Sequence, residues 1–186
     1  MEPIAGWHEE HDNFEQLLEL LEDEVAAFHR GDTPNTELMS DIVSYLRAYS
    51  DCIHHRREDV AFKRLVRRDP GLELVINRLL QEHRVIAYAG EELLEALDQS
   101  LAGELVPRER IESAAATYLA YYRNHIATEE LKVMPRAALV LEPEDWAAVI
   151  AAVPASPDPL FGSDIATRYR RLRQQIMRSA RGTAAH

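Results

Sequence analysis

Two histidine–glutamate pairs with the same internal spacing constrain the fold of this chain more than any other feature of its sequence. His54 precedes Glu58 by four residues, and His125 precedes Glu129 by four. Residues four apart lie one above the other on the same face of an α-helix, so each pair can direct an imidazole and a carboxylate at one point. The repeated pair is typical of a helical bundle that encloses metal ions.

A lone histidine precedes each pair at almost the same distance. His11 stands 43 residues before His54, and His83 stands 42 residues before His125. A histidine followed by a histidine–glutamate pair, repeated at one spacing, is the pattern that a bundle needs in order to enclose two metal ions.

The apolar residues recur at three- and four-residue steps, which predicts helices and no strands. We expect four long helices and one short one, over residues 3–29, 35–67, 72–101, 107–134 and 143–152. Residues 31–34 and 69–71 carry turn chemistry, and we expect Pro135 to interrupt the fourth helix. Long helices with short connections predict an all-α, up-down-up-down antiparallel four-helix bundle.

A Pro-rich segment and an Arg-rich helix follow the predicted bundle. Residues 154–162 indicate a linker, and Ser163 or Asp164 could cap an extra C-terminal helix. The expected organisation is a bundle at residues 1–153 and a linker with a C-terminal helix at residues 154–186. The apolar stripe of that helix favours docking on the bundle, or on a second subunit in a homodimer, over binding to nucleic acid.

The rise of an α-helix places the four histidines at one height in such a bundle. The first helix runs about 27 Å from His11 to the first turn, and the second helix runs about 28 Å back from that turn to His54. The paths from His54 to the second turn and back to His83 cover roughly 20 Å each. Those from His83 to the third turn and back to His125 cover about 27 Å each. The candidate ligands are therefore expected to meet at one level.

Imidazole and carboxylate ligands together suit iron, manganese or zinc. Glu58 and Glu129 could each bridge a pair of ions, and the cations would offset the cost of burying their carboxylates. Three or four histidines with two carboxylates leave coordination positions open, where O2, peroxide or nitric oxide could bind. Cys52 is the one cysteine, which argues against a Cys-rich structural zinc site and excludes an internal disulfide.

Charge and hydropathy disfavour several other classes of function. The formal net charge is −11, from 21 basic and 32 acidic side chains, which argues against non-specific binding to nucleic acid. No apolar run approaches the length of a membrane span, about 18–20 residues. Residues 1–7 lack the basic and apolar regions of a signal peptide. We therefore expect a cytoplasmic protein that binds neither nucleic acid nor a membrane.

Across about residues 7–152 the chain resembles the hemerythrin-like, or HHE cation-binding, family. The stretches that carry the resemblance are Glu10-His11, His54-His55-Arg56-Arg57-Glu58-Asp59 with Phe62, Glu82-His83-Arg84, His125-Ile126-Ala127-Thr128-Glu129-Glu130 with Met134-Pro135, and Glu144-Asp145-Trp146. The family implies a four-helix bundle around two non-haem iron ions, with matching ligand positions at His11, His54, Glu58, His83, His125 and Glu129. Its members bind or transport O2, sense O2, nitric oxide or cellular iron, or remove peroxide.

Two departures separate the chain from the O2-carrying members of that family. Those members have a further histidine one turn before the third-helix ligand, where Leu79 stands here. Their last carboxylate is an aspartate five residues after its histidine, whereas Glu129 follows His125 by four. Both differences argue against simple reversible O2 carriage. Some regulatory members place an extra carboxylate directly after the second-helix histidine, and His55, which stands there, could supply a seventh ligand.

Several residues keep more than one interpretation. His8 could replace His11 or hydrogen-bond to it, and Glu15 could add a carboxylate or be solvated. His55 could be a ligand, a neighbour of the ligands or an exposed residue. Cys52 is expected to be a small core residue, with a redox role near the metal as the alternative. The tyrosines at helical spacing are expected to pack in the core or at its rim, and one of them could donate to a bound oxygen species: Tyr45, Tyr49, Tyr118, Tyr121 and Tyr122.

The sequence therefore predicts a hemerythrin-like di-iron protein that binds or reacts with O2, peroxide or nitric oxide, with manganese or zinc as alternative metals. The residues leave open whether the oxidant is consumed or only held. The alternative is a metal-dependent sensor or interaction module for iron, redox or nitric oxide stress, whose C-terminal helix signals to a protein partner. Metal buffering is a third option, which the low capacity of a two-ion site disfavours. No site role is expected for His29 or His186.

Overall fold

The computed structural model describes residues 3–183 of the chain, so His186 lies outside the described residues. Helices dominate that range and no strand occurs within it, which confirms the predicted all-α class. None of the helices in this part of the chain has both the length and the hydropathy that crossing a membrane requires.

Four long helical segments carry the apolar stripes. The first is α1, Pro3–Arg30, and the third is α4, Glu73–Leu101, which follows a 3-10 turn at Pro70–Leu72. The second consists of α2, Thr36–Tyr45, a π-helix, Leu46–His54, and α3, His55–Arg68. The fourth consists of α5, Arg108–Thr128, a second π-helix, Glu129–Val133, and α6, Met134–Val140. Two shorter helices follow: α7, Pro143–Ala152, and α8, Arg170–Thr183, the latter preceded by a 3-10 turn at Thr167–Tyr169.

Local chemistry sets several helix ends. Gly31 and Gly103 have positive φ angles of 81° and 82° just beyond α1 and α4, a conformation that glycine adopts without steric cost. At the start of α2, the Asn35 side chain accepts a hydrogen bond from the Leu38 backbone N–H at 3.1 Å. The predicted turns between the long segments therefore rest on identifiable caps.

Two predicted helix boundaries are wrong. Pro135 does not end the fourth segment: it lies in the first turn of α6, directly after the π-helix Glu129–Val133, and the helix continues to Val140. The C-terminal helix does not begin at Ser163 or Asp164. Ala166 is extended, with φ −60° and ψ 140°, and the chain makes a 3-10 turn before α8 starts at Arg170.

Two apolar clusters fill the interior at different heights. The larger cluster takes buried side chains from α1, α2, the first π-helix, α4, α5 and the tail, and it includes Phe14, Leu17, Ile42, Ile86, Leu93, Tyr118 and Tyr122. The smaller cluster lies beyond the candidate ligands and includes Ile4, Trp7, Phe62, Leu65, Leu79, Val133 and Met134. His11 stands between Trp7 and Phe14 in the chain, and the ligand candidates of the other segments are flanked similarly.

The residues after the bundle pack against it. Leu160, Tyr169, Leu172 and Ile176 are buried and belong to the larger cluster. The Tyr45 hydroxyl donates to Asp158 at 2.7 Å, and the Tyr45 ring lies edge-on to Tyr169 with 5.4 Å between centroids. The apolar stripe of the tail therefore docks on α1 and α2 of the same chain.

Candidate metal centre

The structure places the six candidate ligands of the four long segments in one buried layer. Their exposed fractions range from 0% to 7%, for His11, His54, Glu58, His83, His125 and Glu129. Two groups in this layer could each hold a cation, with ligand atoms within 4.8 Å of one another: His11, His54, Glu58 and Glu129, and His55, Glu58, His83 and His125. We call these the first group and the second group; Glu58 belongs to both.

The Glu58 carboxylate spans the two groups. Its Oε1 lies 2.9 Å from His54 Nε2 and 3.5 Å from His11 Nε2. Its Oε2 lies 3.5 Å from His83 Nε2. One carboxylate therefore presents one oxygen to each group.

Glu129 is oriented in the same way. Its Oε2 lies 3.4 Å from His11 Nε2, while its Oε1 lies 3.1 Å from His125 Nε2 and 3.8 Å from His83 Nε2. The two carboxylates thus run side by side between two pairs of imidazoles.

Several polar atoms of this layer have no directed hydrogen bond within the described chain. They are both carboxylate oxygens of Glu58 and of Glu129, and Nε2 of His83 and of His125. A buried carboxylate that is left without compensation costs several kcal/mol. Lone pairs that converge on common points without protein donors are the arrangement that a cation fits, so the residues present suit bound metal.

Each of the four histidines also contacts a carboxylate through its other ring nitrogen. The Nδ1–H group of His54 donates to Glu10 at 2.6 Å, and that of His83 donates to Asp59 at 2.8 Å. A carboxylate behind a histidine fixes its ring and its tautomer and so directs Nε2 into the layer.

The same contact occurs at the other two histidines. The Nδ1–H group of His11 donates to Glu130 at 2.6 Å, and Nδ1 of His125 lies 3.4 Å from Glu82. Each acid thus belongs to one helical segment and supports a histidine of the next, so the four contacts close a ring around the bundle. Sequence reasoning assigned these acids no role. Their position in the sequence could have identified them, because each acid is adjacent in the chain to a candidate ligand.

Glu10 is itself held by other side chains. Arg57 Nη2 donates to its two carboxylate oxygens at 2.7 Å and 2.6 Å, and the Tyr49 hydroxyl donates to it at 2.9 Å. Burial would raise the pKa of Glu10, but the contacts with His54 and Arg57 lower it to about 2. The acid behind His54 is therefore a fixed anion.

The imidazoles and carboxylates of the layer stabilise each other's charged forms. Burial alone would lower the pKa of His11, but the contacts with Glu130 and Glu58 raise it to about 10. Burial opposes ionisation of Glu58, yet His54 and His11 hold the pKa of that carboxyl well below its usual range. A potential that favours positive charge on imidazoles also favours a metal cation between them.

His55 is the member of the second group that the sequence left open between ligand, neighbour of the ligands and exposed residue. It is 4% exposed, and its ring stacks on His83 with 4.2 Å between centroids. Its Nδ1 lies 3.3 Å from Asp51 and its Nε2 lies 3.3 Å from the Ser50 hydroxyl. Both ring nitrogens are therefore already in contact with protein oxygens, in contrast to Nε2 of His83 and His125. Burial raises the pKa of Asp51 to about 7.

The other residues that the sequence left with more than one interpretation lie outside the two groups of candidate ligands. The His8 side chain is 44% exposed and contacts Glu130 at 2.6 Å, so it supports the acid behind His11 and lies outside both groups. Glu15 is exposed.

Cys52 is also exposed, and its expected core position is wrong, because the π-helix shifts the buried face around it. Among the tyrosines, Tyr121 lies at the rim and the other four are buried: Tyr45, Tyr49, Tyr118 and Tyr122.

A π-helix accompanies each histidine–glutamate pair. The first, Leu46–His54, ends at the histidine, and the second, Glu129–Val133, begins at the glutamate. Tyr49 and His54 are both buried although they stand five residues apart, which is the spacing of a wider turn. Such segments are rare and occur frequently at functional sites.

Comparison with known proteins gives one match. A family model of the hemerythrin HHE cation-binding domain matches residues 2–137, a range that contains all the candidate ligands and the four acids behind them. No curated protein and no solved structure matches the chain.

Proposed function

Because the chain belongs to the hemerythrin HHE cation-binding domain family, we propose that it is a non-haem di-iron protein that binds or reacts with O2, peroxide or nitric oxide. The proposed iron ligands are the six residues of the buried layer, His11, His54, Glu58, His83, His125 and Glu129. The first group would hold one ion and the second group the other, with Glu58 and Glu129 bridging them. His55, which also belongs to the second group, would be a seventh ligand or a neighbour of the ligands of the second ion.

This proposal includes the finer topology of the fold. We infer that the four long segments run up, down, up and down, with residues 154–186 as an appended tail. Contacts of α4 with α5, of α1 with α5, and of α2 with both α1 and α4 support this arrangement. The ring of acid–histidine contacts, in which each segment supports the next, also favours it.

The observation that carries the proposal is the orientation of the two buried carboxylates. Each of Glu58 and Glu129 presents one oxygen to the first group and one to the second, and all four oxygens lack directed hydrogen bonds. A single ion would leave half of these oxygens uncompensated. Two ions, each sharing both carboxylates, would compensate all of them.

The donor set suits iron, with manganese and zinc as alternatives. Bound iron would supply a redox-active Lewis acid with open coordination positions for a small oxidant. The chain's own contribution is to hold the imidazoles in place through the four outer acids and to surround the layer with apolar side chains. Phe14 lies edge-on to the His54 ring at 5.1 Å, and Phe62 stacks near His83 at 6.1 Å.

Metal analysis of protein expressed in iron-rich medium, combined with absorption spectra before and after peroxide, tests the proposal. We expect about two irons per chain and charge-transfer bands that oxidant changes. His8→Gln is the matched control, because it alters a histidine beside the layer and should keep the metal. Less than about one iron or other transition metal per chain would contradict the proposal.

A peroxide-turnover assay then separates catalysis from binding. Sustained consumption of peroxide by the loaded protein would identify an enzyme. Spectral changes with O2 or nitric oxide, without turnover, would identify a binding protein.

One set of contacts favours the second candidate function, a sensor whose tail reports metal loading. Glu10, which supports His54, accepts a hydrogen bond from Tyr49, and the Tyr49 ring stacks on Tyr45 with 5.8 Å between centroids. Tyr45 in turn donates to Asp158 of the tail. A continuous series of contacts thus connects a proposed iron ligand to the C-terminal segment.

Limited proteolysis of the tail, with and without metal, tests this function. We expect faster cleavage after residue 153 in the metal-free protein, because metal binding and local folding are coupled. Tyr45→Phe should weaken the difference by removing the hydrogen bond to Asp158. Equal cleavage rates in the loaded and metal-free forms would exclude a reporting tail.

A further inference from the structure

The outer side of the third and fourth long segments carries most of the exposed apolar side chains. Nine large apolar residues are exposed in the described part of the chain, and six of them belong to these segments or to the turn between them: Leu74, Tyr88, Leu101, Leu105, Tyr121 and Leu131. We call this surface the hairpin face. α7 packs mainly on α3, and the tail packs on α1 and α2, so neither covers it. Large exposed apolar patches mark sites of interaction.

A groove of about 510 Å³ lies open on the hairpin face, between α4 and α5. Tyr88 stands at its edge and is 66% exposed. Small and apolar side chains line most of the groove, and charged ones line the end nearer to the turn: Val85, Ala89, Ser113, Ala114 and Thr117, then Glu92, Glu109 and Arg110. The face therefore presents a protruding aromatic ring with an apolar recess directly beside it.

Two contacts show that α4 and α5 run antiparallel. Arg110 donates to Gln99 at 2.6 Å, and Asn124 donates to Glu82 at 3.3 Å. The exposed leucines therefore fall at the two ends of the hairpin face: Leu74 and Leu131 at one end, and Leu101 and Leu105 at the other.

The two ends are equally far from Tyr88. Leu74 precedes Tyr88 by 14 residues and Leu101 follows it by 13, so each end lies about 20 Å away along α4. A two-fold axis that crosses the face beside Tyr88, perpendicular to the helices, would turn a second copy end for end. The leucines of one end would then meet those of the other end, and each Tyr88 ring would face the groove of the second copy. A two-fold interface requires this kind of self-complementary patch.

The charges of α4 are complementary under the same axis. Arg84 precedes Tyr88 by four residues, and Glu92 follows it by four. Arg78 and Asp98 stand ten residues before and after it. Each arginine of one copy would therefore lie at the height of a carboxylate of the second copy.

The hairpin face is also large enough for a stable dimer. α4 has 29 residues and is about 43 Å long, and two neighbouring helices are together about 20 Å wide. The face therefore offers roughly 800–900 Å², and a standard interface uses about 800 Å² of each partner.

We propose that the hairpin face is a homodimer interface, in which two copies of the chain pack end for end about a two-fold axis beside Tyr88. Tyr88 is the central anchor, and its ring packs against Ala114 and Thr117 in the groove of the second copy. The pairing uses none of the candidate metal ligands, so it is expected in loaded and metal-free protein alike.

Sedimentation equilibrium of the full chain tests the proposal. The unmodified chain should form dimers at micromolar concentrations, as interfaces of about this size do. Tyr88→Ala should raise the dissociation constant at least about thirtyfold, the effect of truncating a central aromatic anchor. Ile150→Ala is the matched control, because Ile150 is 60% exposed on α7, away from the face, and its truncation should leave the dissociation constant unchanged.

A chain that stays monomeric at about 100 μM would overturn the proposal and leave the hairpin face to a partner of another sequence. A dimer that Tyr88→Ala does not weaken, or that Ile150→Ala weakens equally, would overturn it as well, because association would then use a different surface. Both side chains are largely exposed, so neither truncation should impair folding, and thermal melting checks this.

A charge exchange tests the end-for-end orientation. Arg84→Glu and Glu92→Arg should each raise the dissociation constant about tenfold, because each change puts like charges at one height. Arg84→Glu/Glu92→Arg should return it to within about threefold of the unmodified chain. The two residues are eight apart on α4 and cannot pair within one helix, so the recovery must come from the second copy. A double variant as weak as the single variants would overturn the proposed orientation.

Discussion

The ligand layer and the larger apolar cluster are equally buried, but their stabilities have different origins. In the apolar cluster, side chains such as Leu17 and Leu93 are fully removed from water, and each contributes about 1.5–3 kcal/mol to folding. In the ligand layer, Glu58 and Glu129 are equally inaccessible, yet their oxygens lack directed hydrogen bonds within the described chain. Burial therefore stabilises the first region by itself, whereas the second depends on what it binds.

Removal of metal should have the largest effect, and local opening should increase most in the ligand layer. At a metal concentration about 1,000 times the dissociation constant, loading adds about 4 kcal/mol to the free energy of unfolding. Chelation should remove this increment, as measured by thermal and denaturant unfolding. Amide exchange should accelerate more around residues 54–58 and 125–133 than around Leu93. Equal acceleration in both regions would show that the two are not independent.

Glu58→Gln should come next, because this side chain belongs to both groups. We expect metal affinity to fall at both positions by more than the roughly 10–100-fold that follows loss of an outer partner. His125→Gln is the comparison, because His125 belongs to the second group only and should weaken one ion selectively. Metal titration followed by mass spectrometry measures both. Retention of one tightly bound ion by Glu58→Gln would argue against a shared carboxylate.

Leu93→Ala tests the other region. Leu93 is 0% exposed in the larger cluster, and its truncation should lower the free energy of unfolding by about 3 kcal/mol in loaded and metal-free protein alike. Leu74→Ala is the control, because Leu74 is 84% exposed and the expected change is within about 0.5 kcal/mol. An effect of Leu93→Ala that appears only in loaded protein would mean that the apolar cluster also depends on metal.

Glu10→Gln should have the smallest effect of the four, since it weakens the support of a ligand and leaves the ligand in place. The change replaces an anion behind His54 with a neutral amide, so metal affinity should fall roughly 10–100-fold. The absorption spectrum should shift, and the free energy of unfolding should fall less in the metal-free protein, where only the hydrogen bonds from Arg57, Tyr49 and His54 are weakened, than in the loaded protein. Glu9→Gln alters the exposed neighbouring residue and should do neither. A purely structural role for Glu10 would instead lower stability equally in both forms.

The sequence predicts the helical fold class and the level at which the candidate ligands meet, and two physical rules are enough for both predictions. Residues four apart share a helix face, and a constant rise per residue fixes height along antiparallel helices. Those rules predict the meeting of His11, His54, His83 and His125, which the structure shows.

The roles of the outer acids and the positions of the π-helices could not be predicted in this way. The acids act through contacts between segments, which the spacing of residues along one helix does not encode. The acids behind the histidines were missed because each supports a residue of a different segment, such as Glu82 behind His125. Cys52 and Pro135 were misassigned because the prediction assumed a regular helical turn throughout. The π-helices break that assumption beside each histidine–glutamate pair.

The π-helix at Leu46–His54 makes the layer sensitive to insertion and deletion. An α-helix turns by about 100° per residue. The wider turns of the π-helix therefore set the direction, around the helix axis, in which the later side chains of the segment point. Insertion of one residue between Tyr45 and His54 would add about 100° of rotation unless a further wide turn absorbed it. The imidazole and the carboxylate of the first pair would then rotate together out of alignment with the apolar stripe before them. Homologous chains that keep this centre should therefore tolerate substitution here far better than changes in length.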